Sequence, residues 1–234
     1  MLYGTHFLHS HGAVTEMNND INRRHVETRG KKWAGAIARW ISCRNISPNQ
    51  ISWASLAFAA FAACFLFMAG CHQEWWMWLA AFVCVQGRLL CNLFDGMVAI
   101  EGGKHTASGE IFNDLPDRLS DPLILVATGY SISFLPFADV LGWLAGMGSV
   151  LTAYARFLGA ACGAGQQFCG PMAKQHRMAV VSVAYLACAV FSFSTWYSWI
   201  IYAALCLISL GCAITVIRRI ATSVRKLEAG HEGS

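Results

Sequence analysis

Six apolar runs dominate this chain, near residues 51–71, 75–95, 117–135, 139–161, 178–195 and 197–217. An α-helix needs about 20 consecutive apolar residues to cross the hydrocarbon core of a bilayer. Runs of that length, six times over, exclude an ordinary water-soluble globule. Composition agrees: hydrophobic residues make up 56% and charged residues only 13%, with a mean hydropathy of +0.45. Soluble domains carry about twice that share of charge. An aromatic content of 12% also excludes a disordered chain. The fold class expected is therefore an all-α integral membrane protein with six transmembrane helices.

Charge location sets the expected orientation. The hairpins at 71–74, 135–139 and 194–199 contain no Lys or Arg. The opposite side holds Lys31, Lys32, Arg39 and Arg44 before the first run, Lys104 in the second connection, and Lys174 and Arg177 in the fourth. Arg218, Arg219, Arg225 and Lys226 follow the last run. Basic residues concentrate on the cytoplasmic side of membrane proteins, so both termini are expected there. Trp75, Trp76, Trp78, Trp196 and Trp199 lie at the predicted outer ends, as in an interfacial aromatic belt. Residues 31–44 place Trp33, Ile37, Trp40 and Ile41 on one helical face and basic residues elsewhere. That pattern predicts an amphipathic helix on the cytoplasmic surface. The expected organisation is a polar tail at 1–30, a membrane domain at 31–217 and a basic, polar tail at 218–234.

The ten cysteines form no Cys-x-x-Cys pair, which removes zinc-ribbon and thioredoxin readings. Most sit inside apolar runs and are expected to be small buried hydrophobes. A net charge of +4 gives no argument for nucleic acid as a partner.

Charged side chains at spanning depth are costly and point to function. The second run ends in "RLLCNLFDG", with Arg88, Asn92 and Asp95, and the third begins in "GEIFNDLPDRLSD". At about 100° per residue, Asn92 and Asp95 share one helix face. Asn113, Asp117 and Asp121 form a second stripe, flanked by Asp114. Facing one another, these helix ends would converge several oxygen donors on one point. Clustered carboxylates need a cation between them, and oxygen donors select a hard one: Mg²⁺, Mn²⁺ or Ca²⁺. Such ions serve phosphate chemistry, which predicts a substrate containing pyrophosphate. The plainer reading is a set of helix-end charges in the headgroup region, where Asp near a helix N-terminus is favourable anyway.

At these residues the chain resembles the CDP-alcohol phosphotransferase family, whose signature is Asp-x2-Asp-Gly-x2-Ala-Arg-x8-Gly-x3-Asp-x3-Asp. Without gaps, the signature falls on Asp95, Gly96, Ala99, Gly109 and Asp117. It departs at Asn92, Ile100 and Asn113, which stand where the family has Asp, Arg and Asp. "NISPNQIS" (45–52), "YARF" (154–157) and "GPMAKQHRMA" (170–179) resemble the surrounding family context, so the likeness spans about 31–217. The resemblance implies metal ligation by Asn92, Asp95, Asn113 and Asp117, and by the additional acids Asp114 and Asp121. It implies Asp117 as general base and Gly96, Ala99 and Gly109 beside the nucleotide. Arg156, Lys174 and Arg177 would meet a phosphate, although Arg177 also stands where a cytoplasmic anchor would.

The implied enzyme is a phospholipid synthase dependent on Mg²⁺ or Mn²⁺. It would pass a phosphatidyl group from CDP-diacylglycerol to a small alcohol acceptor and release CMP. The implied setting is a homodimer among the lipids of a bacterial inner membrane, with its site facing the cytoplasm. Two other readings stand beside it: a CDP-linked polar alcohol donor with a lipid hydroxyl acceptor, and a degenerate homologue acting as a membrane scaffold. Asn at two of four acidic positions halves the negative charge available to cations. Asp114, nearer the cytoplasmic mouth than Asp121, is the expected replacement ligand. The alternative is one ion plus a neighbouring cation such as Lys104.

Overall fold

The computed structural model describes residues 32–44, 46–72, 74–101, 109–191 and 196–232. The expected tail at 1–30, and with it Lys31 and Lys104, lies outside the described residues. Among them are seven helices: α1 (Lys32–Cys43), α2 (Pro48–His72), α3 (Trp75–Glu101), α4 (Gly109–Tyr130), α5 (Ala138–Ala161), α6 (Lys174–Phe191) and α7 (Tyr197–Glu232). The architecture is all-α.

Local sequence explains the helix limits. The Ser47 hydroxyl accepts from the Gln50 amide at 3.2 Å, and the Gln50 side chain accepts from the Ser47 amide at 2.9 Å. This reciprocal capping box, with Pro48 at the first helical position, starts α2. Between α4 and α5, residues 131–137 make a tight turn that ends at Phe137 with φ 60°. α4 therefore stops at Tyr130, five residues before the apolar run ends. α7 does the opposite. It continues through Glu232 and takes in most of the basic segment expected as a tail. Its 36 residues span roughly 54 Å, well beyond a hydrocarbon core of about 30 Å.

α2 to α7 close into a ring. α2 packs on α3, α3 on α6, α6 on α7, α7 on α5, α5 on α4, and α4 back on α2. Small residues permit the close contacts. A Cβ on Gly129 of α4 would stand 2.6 Å from the Ala138 carbonyl oxygen and 2.8 Å from Gly142 Cα of α5. Leu66, Trp78, Ile124, Leu125, Tyr185, Ile201 and Leu205 fill the core. Trp78 is fully buried against Tyr185 and Tyr197, with ring centroids 6.1 and 5.8 Å apart, so it belongs to the core and not to an aromatic belt. Trp75, Trp76, Trp196 and Trp199 are exposed.

The outer surface is apolar: Phe61, Trp143, Val183, Leu210 and Ile217 all point outward. α2, Trp75–Ala99 of α3 and Tyr197–Ala229 of α7 are long and apolar enough to cross a membrane. Cys188 and Cys212 are buried as expected, whereas Cys64 and Cys71 are exposed, and the ten cysteines are unpaired. α1 packs Ala34 and Ala38 with Ile51, Met97 and Val98, and leaves Trp33, Ile37 and Trp40 exposed.

Candidate active site

The site forms where one end of α3 meets α2, α4 and α6. Asn92 and Asp95 sit one turn apart on α3, and Ser52 and Ser55 repeat that three-residue spacing on α2. The two pairs therefore meet like rungs. Ser52 Oγ donates to Asp95 Oδ2 at 3.1 Å, and Ser55 Oγ donates to Asn92 Oδ1 at 2.9 Å. Asp95 is 3% exposed, and its Oδ1 accepts from the Gly96 amide at 2.6 Å. Among the described residues it has no ion-pair partner.

Asp117 of α4 faces this pair. Its Oδ1 accepts from Asn92 Nδ2 at 2.9 Å and from Arg88 Nη2 at 3.2 Å. Its Oδ2 is ion-paired with the Lys174 ammonium at the start of α6. Because Ser55 engages the Asn92 oxygen, the amide turns its NH₂ toward Asp117. The structure thus brings together Asn92, Asp95, Asp117 and Lys174, from three helices.

The two additional acids are each held by arginine. Asp121 is buried one turn beyond Asp117. It accepts from Arg88 at 2.6 Å and from Arg177 at 2.7 Å, one carboxylate oxygen to each. Arg177, itself buried, also donates to Thr152 Oγ1 at 3.1 Å and to the Met172 carbonyl at 3.0 Å, tying α4, α5 and α6 together. Asp114 forms a two-bond fork with Arg118 at 2.6 and 3.0 Å, and Arg156 approaches it at 3.5 Å. The Arg156 guanidinium also lies over Phe157, 4.7 Å from the ring centroid, and 5.7 Å from that of Phe168. Gly96 and Ala99 follow Asp95 along α3, and Gly109 opens α4. The side chain of Asn113 lies outside the described residues.

Ser52, Ser55, Arg88 and Arg118 are partners that the spacing argument did not assign. Arg88 carried a signal, since it stands one turn before Asn92 on the same face. The serines carried another, in a three-residue spacing that matches the motif they contact.

The donor chemistry fits a hard divalent ion. Asp95, Asp117 and the Asn92 carbonyl offer oxygen only. Asp95 in particular is a buried carboxylate held by neutral donors, and such a group calls for a cation. The fit is to a small charge. Among the described residues, no three His, Cys, Asp or Glu side chains cluster as a metal site.

No protein-family model matches the chain, and no curated protein matches it by sequence. Solved structures do match. Phosphatidylinositol phosphate synthase of Mycobacterium tuberculosis, in complex with manganese and citrate, aligns with a TM-score of 0.69 at 19% identity, over 81% of this chain and 88% of that one. The same protein with CDP-DAG bound aligns with a TM-score of 0.68 at 20% identity, over 82% and 94%. Its apo form gives 0.64 at 20% identity, over 80% and 94%. This chain shares their fold over about four-fifths of its length.

Proposed function

We propose that this chain is a membrane-bound transferase that moves a phosphatidyl group from CDP-diacylglycerol to a small alcohol and releases CMP. The observation that carries the reading is the Asn92–Asp117 hydrogen bond with Asp95 one turn away. It joins the two halves of the signature-like sequence at one point, within a fold shared with a CDP-DAG-binding synthase. When bound, a divalent ion would supply positive charge to the donor's pyrophosphate. In this reading Asp95, Asn92 and Asp117 would hold it, together with Asn113 of the motif.

In this reading Asp117 accepts the proton of the acceptor hydroxyl on a carboxylate oxygen. The alcohol oxygen then bonds to the phosphorus that bears diacylglycerol. The bond from that phosphorus to the CMP oxygen breaks, and CMP leaves with the electron pair. Gly96, Ala99 and Gly109 would line the nucleotide, as the family resemblance implies. Arg156, partly exposed beside Asp114, meets a substrate phosphate. Arg177 contributes from within, by holding Asp121.

The same reading takes α2 to α7 as six spans, with both termini cytoplasmic and α1 lying on the membrane surface. The exposed Trp33 and Trp40 and the lysine-free and arginine-free hairpins support it. A homodimer in a bacterial inner membrane completes it, on the strength of the family resemblance. The test is CMP release by purified protein given CDP-diacylglycerol, Mg²⁺ or Mn²⁺ and a panel of small alcohols. Stimulation by one alcohol is expected. No release with any alcohol would contradict the reading.

A further inference from the structure

The two motif carboxylates stand in opposite electrostatic settings. Asp95 is buried, and among the described residues it receives hydrogen bonds only from neutral groups, Ser52 Oγ and the Gly96 amide. Asp117 is already neutralised. Its Oδ2 pairs with Lys174 and its Oδ1 with Arg88 at 3.2 Å. Arg88 and Arg177 share Asp121 between them, so that triad keeps a positive charge of its own. Asn92, where the signature has an acid, gives Asp117 an NH₂ donor and no carboxylate. Asp114 cannot restore the missing charge without leaving Arg118.

We propose that the Lys174 ammonium takes the electrostatic place of a second divalent ion, so that this chain binds one divalent cation, on the Asp95 side of the site. The inference rests on the proposed function for the presence of a metal site at all. Its physical basis is local charge. Asp95 and Asp117 carry two negative charges, and Lys174 already sets one positive charge against them, so one divalent ion is as much further charge as the pair can hold. A second ion beside Asp117 would have to sit against the Lys174 ammonium and the Arg88 guanidinium, and Asp121, the other carboxylate on Arg88, is itself shared with Arg177. Repulsion at such distances is severe where water is scarce. A lysine can fill this role as a compact point charge. Ser55 completes the arrangement. It donates to the Asn92 oxygen while the Asn92 NH₂ donates to Asp117, so Asn92 adds a hydrogen bond and no charge beside Asp117.

The test counts ions and does not depend on turnover. Full-length protein in detergent is titrated with Mn²⁺, and free ion is followed by electron paramagnetic resonance. The expected result is one tightly bound Mn²⁺ per chain for the wild type and for Lys174→Arg. The Asn92→Asp/Lys174→Met double variant removes one cation and restores one acid, and it should bind two. Two tight ions in the wild type would overturn the inference while leaving the proposed function standing. So would a folded double variant that still binds one. No tight ion in the wild type would remove the metal site, and the function proposed for it, together with this inference. The wild-type count decides the matter even if the double variant fails to fold.

Discussion

Asp121→Asn tests the buried ion network through stability. Asp121 is 3% exposed, and each of its oxygens accepts a guanidinium, Arg88 at 2.6 Å and Arg177 at 2.7 Å. The substitution preserves shape and removes the negative charge, leaving two buried guanidiniums to share an amide. Breaking a buried pair by removing one partner costs about 3–5 kcal/mol. For a chain of 234 residues, each kcal/mol corresponds to about 2–4 °C in Tm, which gives a loss of about 6–20 °C. Asp114→Asn is the matched control. Its partner Arg118 is an (i, i+4) neighbour, and its side chain is 33% exposed. Exposed helix pairs of this kind contribute about 0.3–0.5 kcal/mol, so the expected loss is at most about 2 °C. Thermal unfolding of both variants in the same detergent, followed by intrinsic tryptophan fluorescence, makes the comparison. Equal shifts in the two variants would refute the assignment of Asp121 as the central support of the α3–α4–α6 junction.

Three further outcomes follow from the geometry. Asp117→Asn should lower CMP release by about 10²–10⁴-fold, the usual cost of losing a general base, and should lower the Tm by less than Asp121→Asn, because its partner Lys174 is partly exposed and Arg88 keeps Asp121. Steady-state rates and melting curves check this together. Gly129→Ala forces a methyl group toward the Ala138 carbonyl and Gly142 Cα, backbone atoms that cannot swing aside, and should cost about 1–3 kcal/mol by thermal unfolding. For topology, the exposed Glu74 and Arg225 are suitable labelling sites. With the native exposed cysteines replaced, Glu74→Cys should react with an impermeant maleimide from outside and Arg225→Cys only from the cytoplasm.

Helix positions were legible in the sequence because the apolar runs are long and each is bounded by turn residues or charge. The limits that moved did so for tertiary reasons. α4 ends early because Gly129 and Gly142 bring α5 back across it, and α7 runs on because nothing in its basic segment breaks a helix. Within the site, helical periodicity placed Asn92 beside Asp95 and put Asp117 and Asp121 on one stripe. Periodicity within a helix carries no information about which cation arrives from another. Lys174 lies 57 residues from Asp117, and Arg177 lies 56 from Asp121. These pairings separate Asp117, which faces the proposed site, from Asp121, which is enclosed by arginine. Arg118, one turn from Asp114 on the same helix, was the partner within reach of a sequence argument. Trp78 shows the same limit: it sits at a helix end like its neighbours, but its position on the helix turns it toward Tyr185 and Tyr197.

The most direct test of the central claim is the fate of the lipid itself. CDP-diacylglycerol labelled with ¹³C in its acyl chains is incubated with purified protein, Mn²⁺ and the alcohol that stimulates CMP release, and the lipids are analysed by mass spectrometry. The account predicts a labelled phosphodiester whose mass equals phosphatidate joined to the alcohol with loss of water, formed in equal amount to CMP and reduced about 10²–10⁴-fold with Asp117→Asn. Labelled phosphatidate alone, or label remaining entirely in CDP-diacylglycerol, would contradict it.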